Sequence, residues 1–188
     1  MCTISIAMCM TKCAAAPRSI FLEFGVYTGN SATGRRHSRS RFFGFDSFEG
    51  LPENWTRNWP KGNFSTDGTI PQIDDERIGF VKGWFQNTLP TFLNGFVPRS
   101  RLVVHSDSDL YSSTLFTLAT LSRLLIPGTV IIFDDFSVPT HVFRAFADYT
   151  SAFMRSAHPS SDDLPLRGTS SVRVRLRGWT AGCLMPVF

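Results

Sequence analysis

The chain has 188 residues, 43% of them hydrophobic and 18% charged, which is enough for one domain with a packed core and excludes a disordered chain. Four Cys in this length are too sparse for a disulfide-stapled miniprotein, and the longest apolar runs fall far short of the roughly 20 residues that a membrane-spanning helix needs. A net charge of +4 is mild and does not by itself argue for nucleic acid, which wants a clustered basic face.

Residues 1–19 read as a poorly defined amino-terminal segment ahead of a single domain over residues 20–188. The apolar run Ile4–Met10 precedes the first basic residue, Lys12, whereas a secretory leader puts its basic residues first. Cys9 and Cys13 have zinc-like spacing, but no second His or Cys pair follows at finger distance. With Cys2 and Cys183 they read as free thiols in a reducing compartment, which points to the cytoplasm.

From there, short apolar runs alternate with longer amphipathic ones. Ile20–Val26, Arg41–Phe45, Ile78–Val81, Leu102–His105 and Thr129–Phe133 read as strands. Runs apolar on both faces suit a parallel sheet covered by helices. Between them, Trp84–Leu93, Ser113–Leu125 and Thr140–Met154 carry apolar side chains at helical spacing, and Pro127–Gly128 stops the second of these. Glu49–Asp75, rich in Gly, Pro, Asn and Trp, has no period and is long for a plain connection. Such segments are usually functional loops. After Ser156 the chain turns polar through Asp163. Val172, Val174 and Leu176 then alternate with Arg173, Arg175 and Arg177, the pattern of a half-buried strand. Cys183–Phe188 has room to return as a last strand. Alternating strand and helix predicts an open α/β sheet.

The first strand runs into Glu23-Phe-Gly25-Val-Tyr27-Thr-Gly29. In open α/β sheets ligands sit at the carboxyl ends of the strands, and glycines there let backbone approach a ligand closely. The spacing E-x-G-x-x-x-G lacks the middle glycine that a dinucleotide fingerprint uses for diphosphate, which argues against a nicotinamide oxidoreductase. Its carboxylate repels phosphate and suits a cation. S-adenosylmethionine carries a sulfonium and an ammonium and no phosphate. Asp46 ends the second strand, where an acid accepts ribose hydroxyls; Asp46-Ser47 also has the makings of a turn. Gly83, Trp84 and Phe85 follow the third strand, where an aromatic side chain flanks an adenine.

Two acidic groups follow strands directly: Asp107 with Asp109, and Asp134 with Asp135. If those strands are adjacent and parallel, their ends lie about 5 Å apart. Crowded carboxylates are costly unless a cation neutralises them or protons bind, and oxygen-only ligands suit magnesium. Asp107, Asp134 and Asp135 form the best ligand set; Asp109 is left as a helix-start or substrate-side residue. Of the four scattered histidines, His105 lies inside a strand and reads as core or supporting. His141, just past the acidic pair, is a candidate general base.

Together these segments resemble the class I S-adenosylmethionine-dependent methyltransferases, and more narrowly the macrocin-type sugar O-methyltransferases. The resemblance rests on Phe21-Leu-Glu-Phe-Gly-Val-Tyr-Thr-Gly29, Phe43-Gly-Phe-Asp-Ser-Phe-Glu-Gly-Leu-Pro-Glu53, Val81-Lys-Gly-Trp-Phe-Gln-Asn-Thr-Leu-Pro90, His105-Ser-Asp-Ser-Asp-Leu-Tyr-Ser-Ser113 and Gly128-Thr-Val-Ile-Ile-Phe-Asp-Asp-Phe136, in family order. It implies a Rossmann-like, mostly parallel sheet with helices on both faces and an antiparallel strand near one edge. It implies S-adenosyl-L-methionine as cofactor and Mg2+ or another divalent metal. Glu23, Gly25, Tyr27 and Gly29 then line the methionine part, Asp46 and Ser47 the ribose, and Gly83, Trp84 and Phe85 the adenine. Asp107, Asp134 and Asp135 hold the metal, with Asp107 beside the cofactor as well.

The expected function is metal-assisted O-methylation of a small-molecule hydroxyl, such as a sugar of a natural product, with Asp107 or His141 taking the proton. The partner is a small-molecule acceptor; neither nucleic acid nor membrane is expected, and a homo-oligomer is left open. The Arg35, Arg36, Arg39 and Arg41 cluster has no stacking motif beside it, so it reads as a solvated face. One alternative is kept. Only Met1–Ser19 precedes the first strand, where the family has helices that cover the site, and Asn30–Ser40 is short and rich in Ser and Arg; both features suit a cofactor-binding scaffold without turnover.

Overall fold

The apolar runs pair edge to edge. The computed structural model describes residues 19–34, 40–159 and 171–177. In chain order its elements are β1 (Ser19–Phe24), α1 (Asn30–Thr33), β2 (Arg41–Asp46), β3 (Ile78–Lys82), α2 (Phe85–Leu93), β4 (Arg101–Ser106), α3 (Tyr111–Leu121), β5 (Val130–Phe133), α4 (Val142–Ala152), β6 (Ser156–Pro159) and β7 (Val172–Arg177). The strands form one sheet in the order β3-β2-β1-β4-β5-β7-β6. The first five are parallel, and β7 runs antiparallel between β5 and β6. Strand order reverses between β1 and β4, the switch point where such sheets open a crevice. This is the expected Rossmann-like α/β sheet with its antiparallel strand near one edge.

Alternation divides each central strand between two layers. Ile20, Leu22, Phe24, Val104, Ile131 and Phe133 pack against Leu89 of α2, Leu118 and Leu121 of α3, and Val142, Phe146 and Tyr149 of α4. Phe21, Val103, Val130 and Ile132 face the other way, onto Ala32 of α1, with Ile73, Ile78 and Phe80 alongside.

Boundaries shift for local reasons. β1 stops at Phe24 rather than Val26, because Gly25 adopts a φ of 94° and starts a loop. α3 covers Tyr111–Leu121 rather than Ser113–Leu125; Leu125 stays buried, so apolar spacing there reports burial and not helical backbone. Trp84 is the N-cap of α2, and His141 that of α4. β6 has no apolar alternation of its own and falls where the sequence predicts the chain to turn polar. It is a strand because β7 pairs with it, Ala157 opposite Leu176. Cys2, Cys9, Cys13, Cys183, His37, Arg35, Arg36, Arg39, Arg167 and the Cys183–Phe188 run lie outside the described residues. Among those described, no helix is long and apolar enough to cross a membrane.

Candidate active site

The carboxyl ends of the parallel strands are tied together by backbone bonds. Gly25 N–H donates to Phe45 O (3.0 Å), Asp107 N–H to Phe24 O (2.8 Å), Gly83 N–H to Asp46 O (2.8 Å) and Asp134 N–H to Ser106 O (3.0 Å). Gly25 is required at its place. Beyond its positive φ, a Cβ there would lie 1.8 Å from the Asp107 carbonyl oxygen, well inside contact distance.

Asp46 closes the glycine loop. Its Oδ2 accepts the N–H groups of Val26 (2.8 Å) and Tyr27 (2.9 Å), and its Oδ1 accepts that of Phe48 (2.8 Å). Three backbone donors hold one carboxylate, and one lone pair on Oδ1 is left for a ligand. Ser47 Oγ accepts from Glu49 N–H at 3.1 Å and donates to Gly50 O at 3.3 Å, so the residue starts a turn as well as facing the crevice.

On the other side of the switch point the acids are crowded. Burial, above all, raises the Asp107 carboxyl well above the usual range; Asp134, Glu23 and Asp109 add to this and His105 opposes it. Burial likewise pushes Asp109 up to about 7, helped by Asp135 and Asp134. Asp109 and Asp135 hold left-handed backbone, with φ of 59° and 47°. Asp134 accepts a 2.5 Å bond from Ser171 Oγ, just before β7. Asp107, Asp134 and Asp135 do gather at neighbouring strand ends, as expected. Yet among the described residues no three His, Cys, Asp or Glu side chains are arranged to hold a metal ion. The donor set has the right chemistry, all oxygen and mutually repulsive. In this arrangement one Asp134 carboxylate oxygen is engaged by Ser171.

An open cleft of about 290 Å³ runs along this edge, near the lower end of small-molecule sites. Gly25, Tyr27, Asp46, Ser47, Trp84, Phe85, Asp107 and Asp135 line it. Among the described residues its wall carries four acidic side chains, Asp46, Asp107, Asp109 and Asp135, and no Lys, Arg or His. Glu23, Gly29, Gly83, Asp134 and His141 are not on that wall. Glu23 is buried against His105 and Ser31. Gly29, at a φ of 79°, is the N-cap of α1, and Gly83, at 135°, is the bend between β3 and α2. His141 Nδ1 is buried without a hydrogen-bond partner.

The loop over residues 49–75 supplies wall residues that the sequence did not single out: Gly50, Leu51, Pro52, Trp55 and Phe64. It folds on itself through Leu51 N–H to Asn63 O (2.8 Å) and Gly62 N–H to Leu51 O (2.9 Å). Glu53 accepts a 2.5 Å bond from Ser112 of α3, so the loop reaches across the switch point. Trp59 stacks on Phe64 with centroids 5.0 Å apart, and Tyr27 meets Phe64 edge-on at 5.9 Å. Gly50, Leu51 and Pro52 fall in the Phe43–Glu53 stretch that carries the resemblance; for Trp55 and Phe64 the signal in the sequence is the loop's length and its aromatic content.

The family model for macrocin-O-methyltransferase (TylF) matches residues 63–158, just over half of the chain. The chain belongs to the macrocin O-methyltransferase family. The match takes in Trp84, Phe85, Asp107, Asp134 and Asp135; the glycine loop and Asp46 precede it. One relative is the 8-demethyl-8-(2,3-dimethoxy-alpha-L-rhamnosyl)-tetracenomycin-C 4'-O-methyltransferase of Streptomyces olivaceus, 32% identical over 146 residues, which are 62% of this chain and 52% of that protein. Another is the mycinamicin III 3''-O-methyltransferase of Micromonospora griseorubida, 36% identical over 103 residues, 54% of this chain and 35% of that protein. The chain thus spans about half, or less, of these curated relatives. Among solved structures, the calicheamicin methyltransferase CalS11 superimposes with a TM-score of 0.70 at 20% identity, over 92% of this chain and 77% of that one. The O-methyltransferase NovP gives a TM-score of 0.65 at 21% identity, over 90% of this chain and 77% of that one. These two likenesses show a shared fold; the family rests on the match over residues 63–158.

Proposed function

We propose that this member of the macrocin O-methyltransferase family binds S-adenosyl-L-methionine and methylates a hydroxyl of a small molecule, a sugar moiety of a natural product being the class that its relatives' names suggest. One observation carries the reading: among the described residues the cleft wall has four acidic side chains and no basic one. Such a wall repels the diphosphate of a dinucleotide and favours a ligand bearing a sulfonium and an ammonium. Gly25 allows close backbone approach. The remaining acceptor site on Asp46 suits a ribose hydroxyl, with Tyr27 and Ser47 beside it. Trp84 and Phe85 offer aromatic faces to the adenine.

When bound, the cofactor supplies an electrophilic methyl group for in-line displacement by the acceptor oxygen. Asp107 takes the hydroxyl proton and passes it to water. It lies on the wall and acts as base only from its ionised form, because burial raises its pKa and a protonated carboxyl cannot take up another proton. His141 is off the wall and is given no proton. A divalent ion, magnesium by the family resemblance, would be held by Asp107, Asp134 and Asp135 and would supply Lewis acidity that lowers the acceptor's pKa.

Calorimetry tests the reading. Titration of S-adenosylmethionine into the chain should give saturable heat at one site per chain; none at high micromolar cofactor would remove the proposal. For the metal, Asp134→Asn should abolish magnesium-dependent turnover while leaving cofactor affinity within about threefold. Unchanged turnover would strike Asp134 from the ligand set.

A further inference from the structure

Glu23 stands where the family resemblance puts a cofactor contact, yet its side chain is 1% exposed, as is that of His105, and neither residue lines the cleft. The two are direct Cα partners across β1 and β4. Glu23 Oε2 accepts from His105 Nδ1 at 3.0 Å, and Glu23 Oε1 accepts from Ser31 Oγ. Ser31 belongs to α1, the turn of helix that Gly29 opens. One buried carboxylate therefore joins β1, β4 and the helix behind the glycine loop.

Its place in the two strands gives this joint a consequence. Gly25 lies two residues beyond Glu23, and Asp107 two residues beyond His105; both line the cleft. The strand tips meet there with no slack, since a single Cβ on Gly25 would run into the Asp107 carbonyl. The face on which the pair sits is otherwise apolar, with Phe21 and Val103 one pleat below and Ala32 above. A buried polar pair on such a face is a poor source of stability, and hydrophobic residues of similar size often do as well. What the pair does supply is a fixed register between two strand ends and a fixed seat for α1.

We propose that Glu23, His105 and Ser31 are positioning residues: they set the glycine loop against Asp107 from behind and do not themselves touch the cofactor. The proposal rests on the cofactor reading above, and one experiment separates the two. S-adenosylhomocysteine is titrated calorimetrically into the wild-type chain and into Glu23→Gln, His105→Leu, the double variant and His105→Asn, with stoichiometry reporting the folded fraction.

If wild type binds no S-adenosylhomocysteine, the cofactor reading fails and takes this proposal with it. If wild type binds, each of Glu23→Gln and His105→Leu should weaken affinity on the order of tenfold at unchanged stoichiometry, with the double variant no weaker than either single. His105→Asn, whose amide reaches the position of Nδ1, should recover most of the loss. A purely structural role would lower stoichiometry or melting temperature and leave the affinity of the folded fraction intact, which overturns the proposal. So would multiplying losses in the double variant, or wild-type affinity in His105→Leu, because Glu23 would then act without His105. Should Glu23→Gln not fold, Ser31→Ala takes its place: about threefold weaker binding is expected, and unchanged affinity counts against the joint.

Discussion

Two carboxylate environments share one sheet edge and differ in every respect that matters to charge. At the β2 tip, Asp46 is surrounded by backbone donors from Val26, Tyr27 and Phe48; its negative charge is compensated and its geometry fixed before any ligand arrives. At the β4 and β5 tips, Asp107 and Asp109 are half-buried beside other acids, and desolvation with that crowding raises their pKa values. The first environment is a finished piece of structure. The second is a charge problem that protons relieve, and that a cation would relieve better. The contrast teaches that an acid at a strand end is a clasp or a ligand site according to what its neighbours donate.

The sharpest way to break this contrast is at Gly25, where the two environments touch. Gly25→Ala should cost on the order of 4 kcal/mol of stability, through a positive φ and a clash with backbone, and should abolish cofactor binding; urea melts and calorimetry check both. Next comes the clasp. Asp46→Ala leaves three N–H groups without their acceptor and should cost about 2–3 kcal/mol, with cofactor affinity down by about a hundredfold or more.

The crowded side should respond in the opposite direction. Asp109 has a carboxyl raised from 3.8 to about 7, so the native state holds a proton that the unfolded chain has already lost. Its contribution to stability therefore falls as pH rises from about 4 to about 7 and is level above that. Asp109→Asn should remove the fall and gain about 1–2 kcal/mol at pH 8, a figure reduced for partial solvent screening, with little change at pH 4; chemical melts at the two pH values decide it. Magnesium should act in the same sense, raising the melting temperature of wild type at pH 8 and doing so less in Asp134→Asn. The smallest effect belongs to the loop: Glu53→Ala removes an exposed bond to Ser112 and should cost about 0.5 kcal/mol or less in a thermal melt.

Much of this edge was legible beforehand. Asp46 was recognisable because an acid that ends the second strand of such a sheet faces the crevice whatever the loops do. The nearness of Asp107 to Asp134 and Asp135 followed from parallel neighbours ending level. Glu23 was not legible. Alternation gives the side of the strand, but not that Ser31 and His105 would close over that side. Nor was the bond from Ser171 to Asp134 legible, since Ser171 lies far along the chain. Trp55 and Phe64 come from an irregular loop, where no period exists to be read.

The sequence by itself determined the five core strands, their suitability for a parallel sheet and the acidic residues at their ends, because these depend on local patterning and on which residue ends each apolar run. Only the tertiary structure decided which acids are tied up and which are crowded, that β6 exists, and that the 49–75 loop reaches α3. Those outcomes depend on side-chain direction and on partners distant in the chain, and the hydrogen bonds that select them form only once the sheet has brought the tips together.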